Sequence, residues 1–120
     1  MTDIDVAIVG AGPTGLALAG ELALAGVSCT VIERRAEEPN ITRAFAVHAR
    51  TLELLDARGL ADRLMPHGVR VNGVSPAPGA HLDLGILPGR YPTLLIVPQS
   101  GTERLLEERA RELDVPIRRG

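Results

Sequence analysis

Gly10-Ala11-Gly12-Pro13-Thr14-Gly15 reads GxGxxG, and an acid, Glu33, stands 18 positions beyond its last glycine. The chemistry open to such a set is the holding of a dinucleotide. Gly10 permits a tight turn, Gly12 lets backbone approach a pyrophosphate with no Cβ in the way, and Gly15 lets a helix press on a strand. If Pro13 opens that helix, its unpaired N–H groups and its dipole, flanked by Pro13 and Thr14, favour the anionic phosphates. A carboxylate about 20 residues on accepts hydrogen bonds from a ribose and opposes the extra phosphate of NADP. FAD and NAD share the ADP moiety, so these residues alone do not separate the two.

The other reactive side chains form no comparable set. His48, His67 and His81 are scattered, with no cysteine pair or HExxH spacing beside them, so no metal site is expected. His48 has no carboxylate or serine at a recognisable spacing and reads as structural, as does Arg50 near a helix start. The single cysteine, Cys29, lies in an apolar run and reads as a small buried hydrophobe. A net charge of −2 and an aromatic content of 2% offer neither a field for phosphate backbones nor stacking surfaces, which excludes a nucleic-acid partner. The longest apolar stretch, Leu16 to Val27, is interrupted by Gly20, Glu21 and Gly26 and nothing resembles a signal peptide, so a cytoplasmic, reducing setting is expected.

The elements that must position the motif follow from pattern. The 120 residues suit one modest domain, with no linker dividing it. Asp5 to Val9 is a short β-branched run ending on glycine, expected to be a strand buried on both faces. Pro13 to Ala25 predicts a helix enclosed on most sides, with Gly15, Ala19 and Ala23 as a small-residue stripe and Gly26 at its end. Val27 to Glu33 predicts a second strand, which completes a βαβ unit. A polar loop from Arg34 to Thr42 precedes a helix over Arg50 to Arg58 closed by Gly59, and a turn of helix from Leu60 to Met65. Residues 66 to 92 predict an irregular antiparallel excursion with strands at Val69 to Val74 and His81 to Leu84. Thr93 to Val97 predicts a strand, and Ser100 with Glu103 a capping box opening a helix with Leu106, Ala110 and Leu113 on one face. Val115 to Gly120 looks like a further strand, cut by the end of the chain. Gln99 falls at a strand-to-helix junction. The runs Arg34-Arg35 and Arg118-Arg119 read as solvated charges.

Five blocks in order carry a family resemblance: the GAGPTG motif at Gly10 to Gly15, VIER at Val31 to Arg34, RAFAVHARTLELL at Arg43 to Leu55, Gly59-Leu60, and VPQS at Val97 to Ser100 followed by Glu103 and Leu105-Leu106. Over its full length the chain resembles the FAD-dependent aromatic hydroxylases of the para-hydroxybenzoate hydroxylase type, in the branch acting on polyketides and antibiotics such as rifamycins and angucyclines. The resemblance implies an α/β fold, a Rossmann-like FAD-binding βαβ core with an antiparallel excursion, and places the 120 residues as the N-terminal part of that domain. The family's later DG- and GD-containing segments and its sheet-based substrate domain are absent. It implies further that Glu33 binds the adenosine ribose, that Arg34 lies along the adenosine with Arg35 as its competitor, and that Arg43 and Gln99 contact the diphosphate and ribityl region. Ala44 to Val47 would border the flavin ring. Arg43 and Gln99 would converge on the first helix N-terminus if their strands neighbour the first strand. The implied activity is monooxygenation of an aromatic or polyketide-type substrate with NADPH or NADH as transient co-substrate and O2, the cofactor carrying the chemistry, so that no catalytic acid, base or nucleophile is expected in the chain, which alone would be inactive. Two other readings stay open: a nucleotide-binding module without redox activity, and an NAD-dependent dehydrogenase domain, which the Arg43 to Leu55 segment and the excursion before Val97 do not suit.

Overall fold

The computed structural model describes residues 3–37 and 46–120. In chain order the elements are β1 (Val6–Val9), α1 (Pro13–Leu24), β2 (Cys29–Glu33), β3 (Ala46–Val47), α2 (Ala49–Asp56), α3 (Ala61–Leu64), a 3-10 turn at Met65–His67, β4 (Val69–Val71), β5 (Gly73–Ala77), β6 (Ala80–Asp83), a 3-10 turn at Leu84–Ile86, β7 (Leu94–Ile96), α4 (Gln99–Glu112) and β8 (Ile117–Arg119). They group into two compact units, one of Met1–Ile41 with Thr102–Gly120 and one of Thr42–Gly101, a subdivision that the unbroken composition does not announce.

In the first unit β1, β2 and β8 form a parallel sheet in the order β1-β2-β8. Paired residues alternate sharply between its faces. Ile8, Val31 and Ile117 form one cross-strand row, with Ile8 and Val31 buried. The adjacent row, Val9, Ile32 and Arg118, is open, Val9 being 86% and Ile32 45% exposed. The expectation of a strand buried on both faces is therefore corrected: one face is covered. The reason is handedness. Strands laid down in one direction by right-handed crossovers carry all their crossover helices on the same side. On that side Leu16 and Ala19 of α1 are buried, and the Arg109 side chain of α4 lies 4.0 Å from where a Cβ on Gly20 would stand. Since Leu18 and Leu24 of α1 are exposed, the helix is less enclosed than its composition suggests.

The second unit is built on an antiparallel sheet in the order β3-β7-β4, and its buried residues include Leu52, Leu55, Leu60 and Leu64, with Leu95 in β7 and Val97 just after it. Leu52 and Leu55 are one helical turn apart, which turns that face of α2 inward. The predicted strand at Val69 to Val74 is in fact two. It breaks at Asn72, whose carbonyl accepts from Leu84 N–H, so that β4 joins this sheet while β5 pairs with β6 in a separate exposed hairpin. Pro78-Gly79 turns that hairpin, with Gly79 at φ +76° as a type II turn requires.

Three helices close alike. Val27 N–H bonds to Leu22 O, Leu60 to Leu55 and Val115 to Ala110, each across five residues, with Gly26, Gly59 and Asp114 left-handed in between. The predicted capping box is displaced, because α4 starts at Gln99 and Ser100 is its second residue rather than its cap.

Candidate cofactor-binding site

The motif lies where the first parallel strand meets the first helix. β1 ends at Val9, and Gly10 follows at φ +109°, a conformation that a side chain disfavours, with its N–H donating to Ile32 O at 2.8 Å. Gly12 is the residue before α1 and Pro13 its first, so Thr14 and Gly15 complete the opening turn. A Cβ on Gly15 would stand 2.2 Å from Gly10 O, which sets how closely the helix sits on the loop. By contrast, a Cβ on Gly12 would meet nothing within 4 Å, so the space in front of this backbone is the kind of cradle into which an anionic group fits.

Glu33 ends β2 on the helix-covered face. Its Oε2 accepts from Ala11 N–H at 2.9 Å and its Oε1 from Arg35 N–H at 2.9 Å. The acid and the loop are thereby locked together. Those two N–H groups, with the charges of Arg35 and Arg119, hold the Glu33 carboxyl below the usual carboxylate range against a partial desolvation that raises it. A carboxylate has about four acceptor directions, so two remain for hydroxyl donors such as those of a ribose.

The other residues singled out from the sequence fall differently. Arg34 is exposed, and it is Arg35 whose backbone and charge act on Glu33. Arg43, with Ala44 and Phe45, lies outside the described residues. Gln99 is half-buried at the first position of α4, and β7, the strand before it, pairs with β3 and β4 in the antiparallel sheet rather than with β1. His48 is exposed at the position before α2, and Arg50 pairs with Glu53 at 3.2 Å. Cys29 is buried, its thiol near Ala19 O at 3.7 Å and pushed up by burial. Among the described residues no group of three or more His, Cys, Asp or Glu could hold a metal ion, and no helix is long and apolar enough to cross a membrane.

Arg119 is what sequence reasoning missed. Taken as a solvated charge, it instead bonds to Glu107 at 2.5 Å and sits opposite Glu33 in register. The one available signal was the final β-branched run, which as a parallel neighbour of β2 would bring its last residues beside Glu33.

Comparison with known proteins agrees with this geometry. Residues 3–120 match the family described as FAD binding domain. A 12-dehydrotetracycline 5-monooxygenase/anhydrotetracycline 6-monooxygenase of Streptomyces rimosus is 49% identical over 117 residues, covering 97% of this chain and 23% of the relative. A rifampicin monooxygenase of Rhodococcus hoagii is 40% identical over 122 residues, covering 97% and 24%. The solved structure of OxyS anhydrotetracycline hydroxylase from Streptomyces rimosus superposes with a TM-score of 0.92 at 48% identity, covering 97% of this chain and 24% of that one. The chain thus spans about a quarter of the length of the relatives it matches. With a glycine loop locked to the acid that ends the second strand of a parallel βαβ unit, and with the family match running from residue 3 to residue 120, this chain belongs to the FAD binding domain family of the FAD-dependent monooxygenases.

Proposed function

We propose that the chain forms the adenosine and diphosphate end of the FAD site in a monooxygenase that hydroxylates an aromatic or polyketide-type substrate with NADPH or NADH and O2. The observation that carries this reading is the 2.9 Å bond from Ala11 N–H to the Glu33 carboxylate, because a ribose acceptor and a phosphate loop that serve one nucleotide must lie within its reach. In this reading Gly10, Gly12, Pro13, Thr14 and Gly15 hold the pyrophosphate, and Glu33 takes the ribose hydroxyls. Arg34 lies along the adenosine, and Arg43 and Gln99 serve the diphosphate and ribityl portion. Bound FAD supplies the redox chemistry. The chain's own contribution is to bind and orient it: the α1 dipole and loop amides neutralise the phosphates, and an ionised Glu33 fixes the rotation of the ribose. The names of the relatives, which include an anhydrotetracycline and a rifampicin monooxygenase, support the substrate class. We place the protein in the cytoplasm, where NAD(P)H is available. In this reading the 120 residues are part of an FAD-binding domain, and the hydroxylation is that of the whole protein.

The test is the visible absorbance of the purified chain after incubation with FAD and removal of free flavin, with FMN and NAD in parallel thermal-shift series. Retained yellow colour and stabilisation by FAD, with affinity falling roughly ten- to a hundredfold in Glu33→Gln, is the expected result. Stabilisation by NAD and not FAD would overturn the reading in favour of a dehydrogenase-type site.

A further inference from the structure

Two of the groups that fix Glu33 lie outside the fingerprint that identifies the site. β8 pairs with β2 in parallel with Arg119 opposite Glu33, so the two side chains leave the same face of the sheet at neighbouring positions. Gly120 N–H donates to the Glu33 carbonyl at 3.1 Å and ties the backbone at that point. The Arg119 side chain is only 19% exposed, and its guanidinium donates to Glu107 Oε2 at 2.5 Å. Glu107 itself is 14% exposed, and its other oxygen accepts from Arg111 at 2.7 Å and 3.2 Å. Burial raises the Glu107 carboxyl, but its bonds to Arg111 and Arg119 outweigh that and hold it below the usual range. An ion pair this enclosed gives up solvation to exist, and it stands at the lip of the binding carboxylate.

We propose that Arg119, anchored by Glu107, is a positioning residue for the Glu33 carboxylate, holding the third strand and a compensating charge beside the acceptor that the adenosine ribose meets. This rests on the FAD reading above. The groups acting on Glu33 are the N–H groups of Ala11 and Arg35, the charge of Arg35 from the turn after β2, and Arg119 from β8, with Glu107 and Arg111 of α4 behind it. Removing the Arg119 charge takes away an attraction that favours ionised Glu33. Neutralising Glu107 leaves the Arg119 charge uncompensated and acts in the opposite sense.

Two readouts on the 120-residue chain separate the possibilities: the Glu33 carboxyl titration by carbon-detected NMR without flavin, and FAD affinity by quenching of flavin fluorescence across the acid range. Arg119→Met is expected to move the Glu33 titration to higher pH and to weaken FAD roughly two- to fivefold at neutral pH. Arg119→Lys restores both in large part, and Glu107→Gln moves the titration to lower pH. Glu107→Gln and Arg119→Lys carry the test if Arg119→Met does not fold. A Glu33 titration indifferent to Arg119, or shifts of the same sign in Arg119→Met and Glu107→Gln, would overturn the inference even with FAD retained. Failure of the unaltered chain to hold FAD, with the titrations responding as stated, would instead remove the FAD reading and support the electrostatic arrangement.

Discussion

A Cβ placed on Gly15 would stand 2.2 Å from Gly10 O and 3.2 Å from Ile8 Cγ2. Backbone oxygen cannot yield as a flexible side chain does, so Gly15→Ala must push α1 off the loop that it closes. The expected cost is about 3 kcal/mol or more, read from the denaturation midpoint, together with loss of FAD retention. An added Cβ at Gly12 would meet nothing within 4 Å, so Gly12→Ala should leave stability within about 1 kcal/mol while still weakening FAD, because the space it enters is the cradle itself. The turn at Gly10, the close approach at Gly15 and the placing of Glu33 at the end of β2 were legible in the sequence because each is imposed by backbone within one βαβ unit. The placing of Arg119 was not, since its neighbour Glu33 is 86 residues earlier and the pairing exists only once β8 lies beside β2.

Among the elements, α1, α2 and α4 end on the same pair of hydrogen bonds, yet the third does so with Asp114 at φ +59° where the others have glycine. Aspartate tolerates this region better than most residues but still carries a Cβ there. Asp114→Gly is expected to stabilise the chain by about 0.5–1 kcal/mol, visible as a higher melting temperature, and a loss of stability would show that its side chain makes a bond worth more than the strain. Helix ends at Gly26 and Gly59 were readable from glycine alone. That of α4 was not, because an aspartate gives no comparable stop signal, and the start of α4 was misplaced by two residues because Ser100 and Glu103 have capping-box spacing inside its first turns.

For the molecule as a whole, the one-sided burial of the parallel sheet makes a sharp contrast between neighbouring residues. Val31 is fully buried beneath the helices and Ile32, next to it, points to the open face. Val31→Ala should cost about 1–3 kcal/mol in chemical denaturation, whereas Ile32→Thr should change stability by no more than about 0.5 kcal/mol. Equal costs at the two positions would mean that the second face is covered in solution. No alternation within Val-Ala-Ile-Val distinguishes the two cases, since a run of apolar residues reads the same whether one face or both are packed.

By itself the sequence determined the βαβ unit, the dinucleotide loop and its acid, because turn glycines, a helix start and a strand end are local demands on φ, ψ and hydrogen bonding. Its block order also carried the family and the cofactor. Only the tertiary structure decided which strands pair: that β8 returns to β2 and sets Arg119 beside Glu33, that β7 pairs with β3 and β4 in an antiparallel sheet, and that a single run at 69–74 divides between two sheets. Strand adjacency depends on contacts between residues far apart along the chain, and no local preference encodes which edge a returning strand will meet.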